Sequence, residues 1–279
     1  MATINATVYD TVAAAEAALD ALDSSIVAEV EAFEDRGVTK WMVVVHPPMQ
    51  HISKLGYNPD VDAAKEDLWS VGGLYVWPTA EMGMEIVSSS ADDAAEGTGA
   101  RTVKIWYLDD AFVEKTETIT LTGVTPVATV ATDIYRINRF KVMTVGSGGV
   151  AAGDIDIRNI GDTPIYSRVV AGETESRDIP YTVPAGKLLN ISQVTYSVGG
   201  AKTGVFGKYT LKSTYDQISG AVGTIFYPIS EIGVQDGAFT ITYVTPIQIP
   251  AGADLIVSIQ SGATNADAVC TIQYRGWLE

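Results

Sequence analysis

The chain has 279 residues, 34 acidic and 18 basic side chains and a formal net charge of −16, with 47% hydrophobic and 19% charged residues. That composition excludes wholesale disorder and leaves room for one large β domain with appendages or for two domains. The negative charge repels phosphate backbones and argues against a nucleic-acid partner, and the single cysteine, Cys270, excludes an intramolecular disulfide.

Residues 1–100 carry 17 acidic and 4 basic side chains, whereas residues 101–279 carry 17 and 14, so the acidity belongs to the N-terminal third. No basic segment followed by an apolar stretch opens the chain, and no apolar run approaches the ~18 residues of a membrane helix. The expectation is a soluble protein with no membrane insertion and no secretory address.

Residues 1–37 read as one long amphipathic helix. Ile4, Val8, Val12, Ala15, Leu19, Leu22, Ile26, Val30 and Phe33 recur at spacings of three and four, with Asn5 or Thr7 as N-cap and Arg36-Gly37 at the C-terminus. Such a helix is about 45 Å long at ~1.5 Å per residue. Its apolar stripe is narrow and its flanks are almost wholly acidic, so Leu19, Leu22, Ile26, Val30 and Phe33 are the candidate assembly seam.

Residues 38–97 read as an extended connector arm that wraps a neighbouring subunit. Lys40–His46 suits a strand cut off by Pro47-Pro48, residues 59–69 suit a short helix, Gly72–Pro78 starts an aromatic strand, and residues 88–99 form a small acidic loop.

Residues 98–279 read as one antiparallel β domain. Eleven short runs rich in Val, Ile, Thr and Tyr begin at Thr102, Glu114, Tyr135, Asp154, Ile179, Leu188, Val205, Thr224, Ala238, Asp254 and Ala268, with no helical pattern between them. Within them one phrase occurs twice. Pro180–Leu189 and Pro246–Leu255 share the pattern P-x-x-x-P-A-G-x-x-L, in which a proline ends a strand, Ala-Gly turns the chain, and a new strand begins near the Leu. Two equivalent corners suit a jelly-roll-type β-sandwich built of two Greek keys, with Leu189 and Leu255 both in its core.

No catalytic constellation is evident. His46 and His51 flank Pro47-Pro48 without a carboxylate trio, Gly146–Gly149 lacks the Lys-Ser/Thr of a phosphate cradle, and neither a G-x-S-x-G elbow nor an H-E-x-x-H helix occurs. Asp154 with Asp156, Asp60 with Asp62, and Asp92-Asp93 are close carboxylate pairs that solvated strand edges and caps explain. Trp41, Trp69, Trp77, Trp106 and Trp277 sit among apolar residues and suit core or interface better than a sugar platform. No cofactor, metal or catalytic residue is assigned.

The succession Arg101–Asp110 (RTVKIWYLDD), Thr116–Gly123 (TETITLTG), Tyr135–Gly149 (YRINRFKVMTVGSGG), Asp154–Asn159 (DIDIRN), the two P-A-G corners and Cys270–Glu279 (CTIQYRGWLE) resembles β-rich virion structural proteins of tailed bacteriophages, particularly marine phages. The resemblance covers residues 100–279 and is one of pattern, so no functional residue carries over. It implies a jelly-roll-type domain present in many copies as a capsid decoration, a head fibre or a tail-associated protein. The reading is then a non-enzymatic virion component made in the bacterial cytoplasm, whose partners are itself, as a homotrimer formed through its N-terminal region, and other virion proteins. The alternatives are a receptor- or glycan-binding module that meets a host surface glycan, and, less favoured, a carbohydrate-active enzyme using two carboxylates.

Overall fold

The computed structural model describes residues 7–20, 27–35, 38–46, 50–200, 205–262 and 268–279. Strands make up 60% and helix 3% of it. The protein packs as two units, residues up to 51 with 277–279, and residues 52–276.

The first unit holds β1 (Thr7–Tyr9), α1 (Val12–Asp20), β2 (Val27–Asp35) and β3 (Val38–His46), with the strands ordered β1-β3-β2. The expected long helix is therefore absent. Helix α1 spans only nine residues, starts at a Thr11 cap whose Oγ1 accepts the Ala14 N–H at 3.2 Å, and buries Ala15 completely. Of the two expected caps, Thr7 lies in β1, and Asn5 falls outside the described residues. From Val27 to Asp35 the chain is extended: β2 pairs antiparallel with β3 from Val27 opposite His46 to Asp35 opposite Val38. The segment VAEVEAFED satisfies an alternating pattern as well as a helical one. A Val-rich partner only two residues away supplies a complete ladder, and that pairing overrides the helical spacing.

The second unit contains β4 (Gln50–Val61), β5 (Glu66–Asp67), β6 (Met84–Ser88), β7 (Ala100–Leu108), β8 (Glu114–Thr120), β9 (Val127–Ala128), β10 (Arg136–Val145), β11 (Ile155–Asn159) and β12 (Ile165–Val169). It continues with β13 (Tyr181–Thr182), β14 (Leu188–Gly199), β15 (Phe206–Asp216), β16 (Ala221–Gln235), β17 (Gly237–Pro250), β18 (Asp254–Ser261) and β19 (Ala268–Leu278). All eleven runs expected after residue 100 form strands, and they pair antiparallel with their neighbours. The sheets also draw on residues 50–88, which read as a connector: β4 and β5 join the C-terminal sheets, and β6 lies inside a sheet with Met84 and Ile86 fully buried. No helix forms at residues 59–69, and residues 72–78 are irregular.

Two sheets face one another in the C-terminal half, ordered β17-β14-β19-β4 and β13-β18-β15-β16. Counted one to eight along the chain from β4 and β13 to β19, they read 6-3-8-1 and 2-7-4-5. Between them lie Leu189, Ile191, Tyr196, Tyr209, Leu211, Leu255, Val257, Ile272 and Tyr274, all fully buried. The Tyr196 and Tyr209 rings meet at 5.2 Å, and the Tyr209 hydroxyl donates to the Ser197 carbonyl. Cys270 is in this core too, where burial pushes its thiol up to about 11.

The two P-A-G corners are equivalent places in that order, joining strand two to three and strand six to seven. In each, the residue after the Gly donates back to the Pro carbonyl, Lys187 to Pro184 at 3.1 Å and Ala253 to Pro250 at 3.3 Å. Gly186 and Gly252 take φ values of 70° and 76°, the left-handed region in which a side chain is strained. The corners also bond to each other: Val183 donates to Ala253 and Gly252 to Val183. Leu189 and Leu255 are both fully buried, as the repeat requires.

Residues 62–180 are inserted between strands one and two. Their sheets β10-β7-β8 and β12-β11-β6-β9 enclose a separate core in which Met84, Ile105, Ile134, Phe140, Ile155 and Ile157 are fully buried.

Candidate functional site

Of the proposed seam residues, the three that are described do not lie on one helix. Leu19 ends α1, Val30 and Phe33 lie on β2, and Leu22 and Ile26 fall outside the described residues. Val30 is half-buried and stands opposite Val43 in the ladder. The spacing of three and four that suggested a seam is thus divided between a short helix and a strand.

The most elaborate polar site joins the inserted sheets to the second corner. Arg136, on β10, makes a bidentate ion pair with Asp254, Nε to Oδ1 and Nη2 to Oδ2, both at 3.0 Å. Both residues are buried, at 7% and 8% exposure, so the pair is shielded from solvent. Nη1 donates to the Pro78 carbonyl at 2.7 Å and to the Tyr135 carbonyl at 3.1 Å, and the Trp77 and Tyr135 rings flank the group. Asp254 also accepts the Thr182 hydroxyl. Burial opposes the Arg136 charge, yet the hydrogen bonds and attraction from Asp254 keep its pKa above the ordinary arginine value.

Asn138 is the neighbouring contact. The β10 ladder skips it, with Ile137 opposite Tyr107 and Arg139 opposite Trp106, so its side chain turns out of the sheet at a bulge. Its amide donates to the Thr182 carbonyl at 2.8 Å and accepts the Thr182 N–H at 2.9 Å, reproducing a strand pair with one side chain.

Beside it is a small cleft lined by Lys54, Tyr75, Asn138, Tyr166, Ser167 and Asp178, among others. Lys54 donates to the Asn138 carbonyl at 2.8 Å. Asp178 accepts the Ser167 hydroxyl at 2.5 Å and the Ser70 N–H at 3.1 Å. Burial pushes the Lys54 amine down to about 8 against the attraction of Asp178 and Glu175, and burial raises the Asp178 carboxyl against its hydrogen bonds. Every one of these groups is tied to the fold, so the arrangement holds the two halves of the unit together.

The carboxylate pairs are structural. Arg168 clamps Asp156 at 2.6 and 2.7 Å and reaches Asp154 at 3.5 Å. Asp93 is fully buried and accepts from the Ser88 hydroxyl and from the N–H groups of Ala100, Ala152 and Gly153, which pins three loop segments. Asp60 is exposed. His51 is exposed, His46 ends β3, and among the described residues no cluster of three or more metal-ligating side chains occurs. Of the tryptophans, Trp69 is buried and packs edge-on against Tyr75, itself edge-on against Trp77; Trp106 is half-buried beneath Lys104 and Arg139.

One surface feature escaped the sequence reading. Strands β16 and β17, the end strands of the two facing sheets, expose Val222, Ile225, Tyr227, Phe239 and Val244. The signal was in the sequence as a scarcity of charge: residues 218–250 contain only Glu231 and Asp236.

No family model matches this chain. Among the curated proteins none matches either. Among solved structures, a chain from the structure of infectious bursal disease virus, Gt strain, aligns at 9% identity over 82% of this chain and 71% of that one, with a TM-score of 0.21, too slight a likeness to define a fold.

Proposed function

We propose that this protein is a non-enzymatic structural component of a tailed-phage virion, a capsid decoration, head fibre or tail-associated protein, made in the bacterial cytoplasm and assembled as a homo-oligomer. The observation that carries this reading is the strand order 6-3-8-1 facing 2-7-4-5, with equivalent corners between strands two and three and between six and seven. We read that order as an eight-stranded jelly roll of two Greek keys, an architecture used by capsid subunits and also by lectins and cupins. The resemblance of residues 100–279 to phage virion proteins selects among those uses. The polar groups at the junction support a building-block role, because they rigidify the contact between the jelly roll and its insertion.

The N-terminal unit is the proposed attachment element. It is acidic and compact, and its narrow apolar content suits docking on a sister subunit or on a basic site of another virion protein. Cryo-EM of particles purified from infected cells tests the function directly, with the sandwich and its insertion expected as repeated density. A protein abundant in infected cells and absent from particles would overturn it, and release of reducing ends from host polysaccharide would favour a carbohydrate-active enzyme.

A further inference from the structure

We infer that the open end of the sandwich formed by β16 and β17 is a contact for a second copy of this chain, related by a two-fold axis; this rests on the assembly role proposed above and adds to it a self-contact distinct from the N-terminal unit. Strand β16 pairs with β15, and β17 with β14; among the described residues neither has a neighbour on its other side. The two are the longest strands among the described residues, at 15 and 14 residues, and they close the same end of the sandwich through the Asp236-Gly237 turn. Each therefore offers a long row of ladder groups to another strand.

Edge strands of solitary proteins are blunted by charged side chains. Here β17 has no charged residue and β16 has only Glu231, which is engaged by Lys208 at 3.0 Å. In their place stand apolar side chains, with Ile225 64% exposed and Val244 fully exposed. Two chains of net charge −16 repel over most of their surface, and residues 218–250, with two acids in 33 residues, are where identical copies can approach without bringing charges together. An edge is also self-complementary under a two-fold axis, since antiparallel β16 against the partner's β16 satisfies both rows at once. Pro228 on β16 and Pro246 and Pro250 on β17 have no N–H to donate, which restricts the pairing to the segments around Ile225 and Val244.

The size of the patch sets the strength. At ~3.3 Å per residue and ~10 Å between sheets, the end is roughly 45 by 10 Å, or about 450 Å² per partner. That is below the ~600 Å² per side of the smallest standard interfaces. The contact is thus reversible between free chains and tightens when a second contact holds them together.

The test is sedimentation velocity of the full chain over a wide concentration range, compared with Ile225→Glu, Val244→Glu and the double variant. Concentration-dependent dimers are expected for the parent chain, with association at least tenfold weaker in the double variant and unchanged circular dichroism and melting. Because the Val244 side chain is fully exposed, Val244→Glu alone tests the contact without risk to the fold. Association that survives the double variant and disappears on removal of residues 1–46, which takes away the whole β1-β3-β2 sheet, would overturn the edge contact and leave the N-terminal assembly role standing. A parent chain that is monomeric at every concentration overturns the edge contact as well, while incorporation into particles, scored separately, still judges the proposed function.

Discussion

Replacing Asp254 with alanine removes the counterion of a guanidinium that is only 7% exposed and whose fork is aimed at that carboxylate. An uncompensated buried charge costs about 3–5 kcal/mol, and the Thr182 hydroxyl loses its acceptor as well. For a unit the size of residues 52–276, each kcal/mol lowers the melting temperature by about 2–4 °C, so Asp254→Ala should melt on the order of 10 °C lower. Urea titration and calorimetry measure both quantities. Because the pair is shielded, the loss should be nearly the same at low and high salt. The double variant Arg136→Met with Asp254→Leu should recover most of it, since an apolar pair leaves no orphaned charge. A cost below ~1 kcal/mol, the range of exposed ion pairs, or a cost that vanishes in high salt, would refute the picture of a sealed junction.

Leu189→Ala and Leu255→Ala should each cost about 2–5 kcal/mol and by similar amounts, because both side chains are fully buried at equivalent corners; a neutral result at either in urea titration breaks the equivalence. Lys54 gives a pH signature. Burial, the dominant cause, holds its amine at about 8 rather than 10.5, so between those values the unfolded chain binds a proton that the folded one does not. Its contribution to stability is complete above pH 10.5 and is lost as pH falls through about 8, and the stability difference between the parent chain and Lys54→Met should slope across that window; a flat difference rules this out. A fragment of residues 98–279 lacks β4, β5 and β6 and should aggregate or remain unfolded, whereas residues 52–279 should give a soluble β spectrum; a folded 98–279 fragment would show those strands to be dispensable.

Alternation made the eleven later strands legible, and the doubled P-A-G phrase pointed correctly to two equivalent corners. Strand β4 was hidden by its own breakers. Pro59 read as the start of a short helix, yet it is tolerated in β4 because β4 ends its sheet, and at Gly56 a Cβ would lie 3.0 Å from the Ile179 Cβ and 3.1 Å from the Ile272 Cγ2. Helical spacing misled at residues 27–35 because a strand partner two residues away decided the matter. The junction was illegible for another reason: Arg136 and Asp254 are 118 positions apart, and no local pattern marks a pair that only the corner and the insertion bring together.

The place of the insertion has a consequence for how the chain is made. Strand β4 belongs to the same sheet as the last strand of the protein, and Gln273 donates to Ser53 across 220 positions of sequence. The inserted sheets complete their own core between Met84 and Val169. On a ribosome adding ~5–20 residues per second, that core is whole while β4 still waits, for about 5 to 20 s, on the 99 residues that follow position 180. Such distant pairings also fold slowly once synthesis ends. During that interval the insertion is a finished module carried on an unfinished pair of sheets, and an unpaired β4 is the segment that a chaperone, or a misplaced neighbouring chain, meets first.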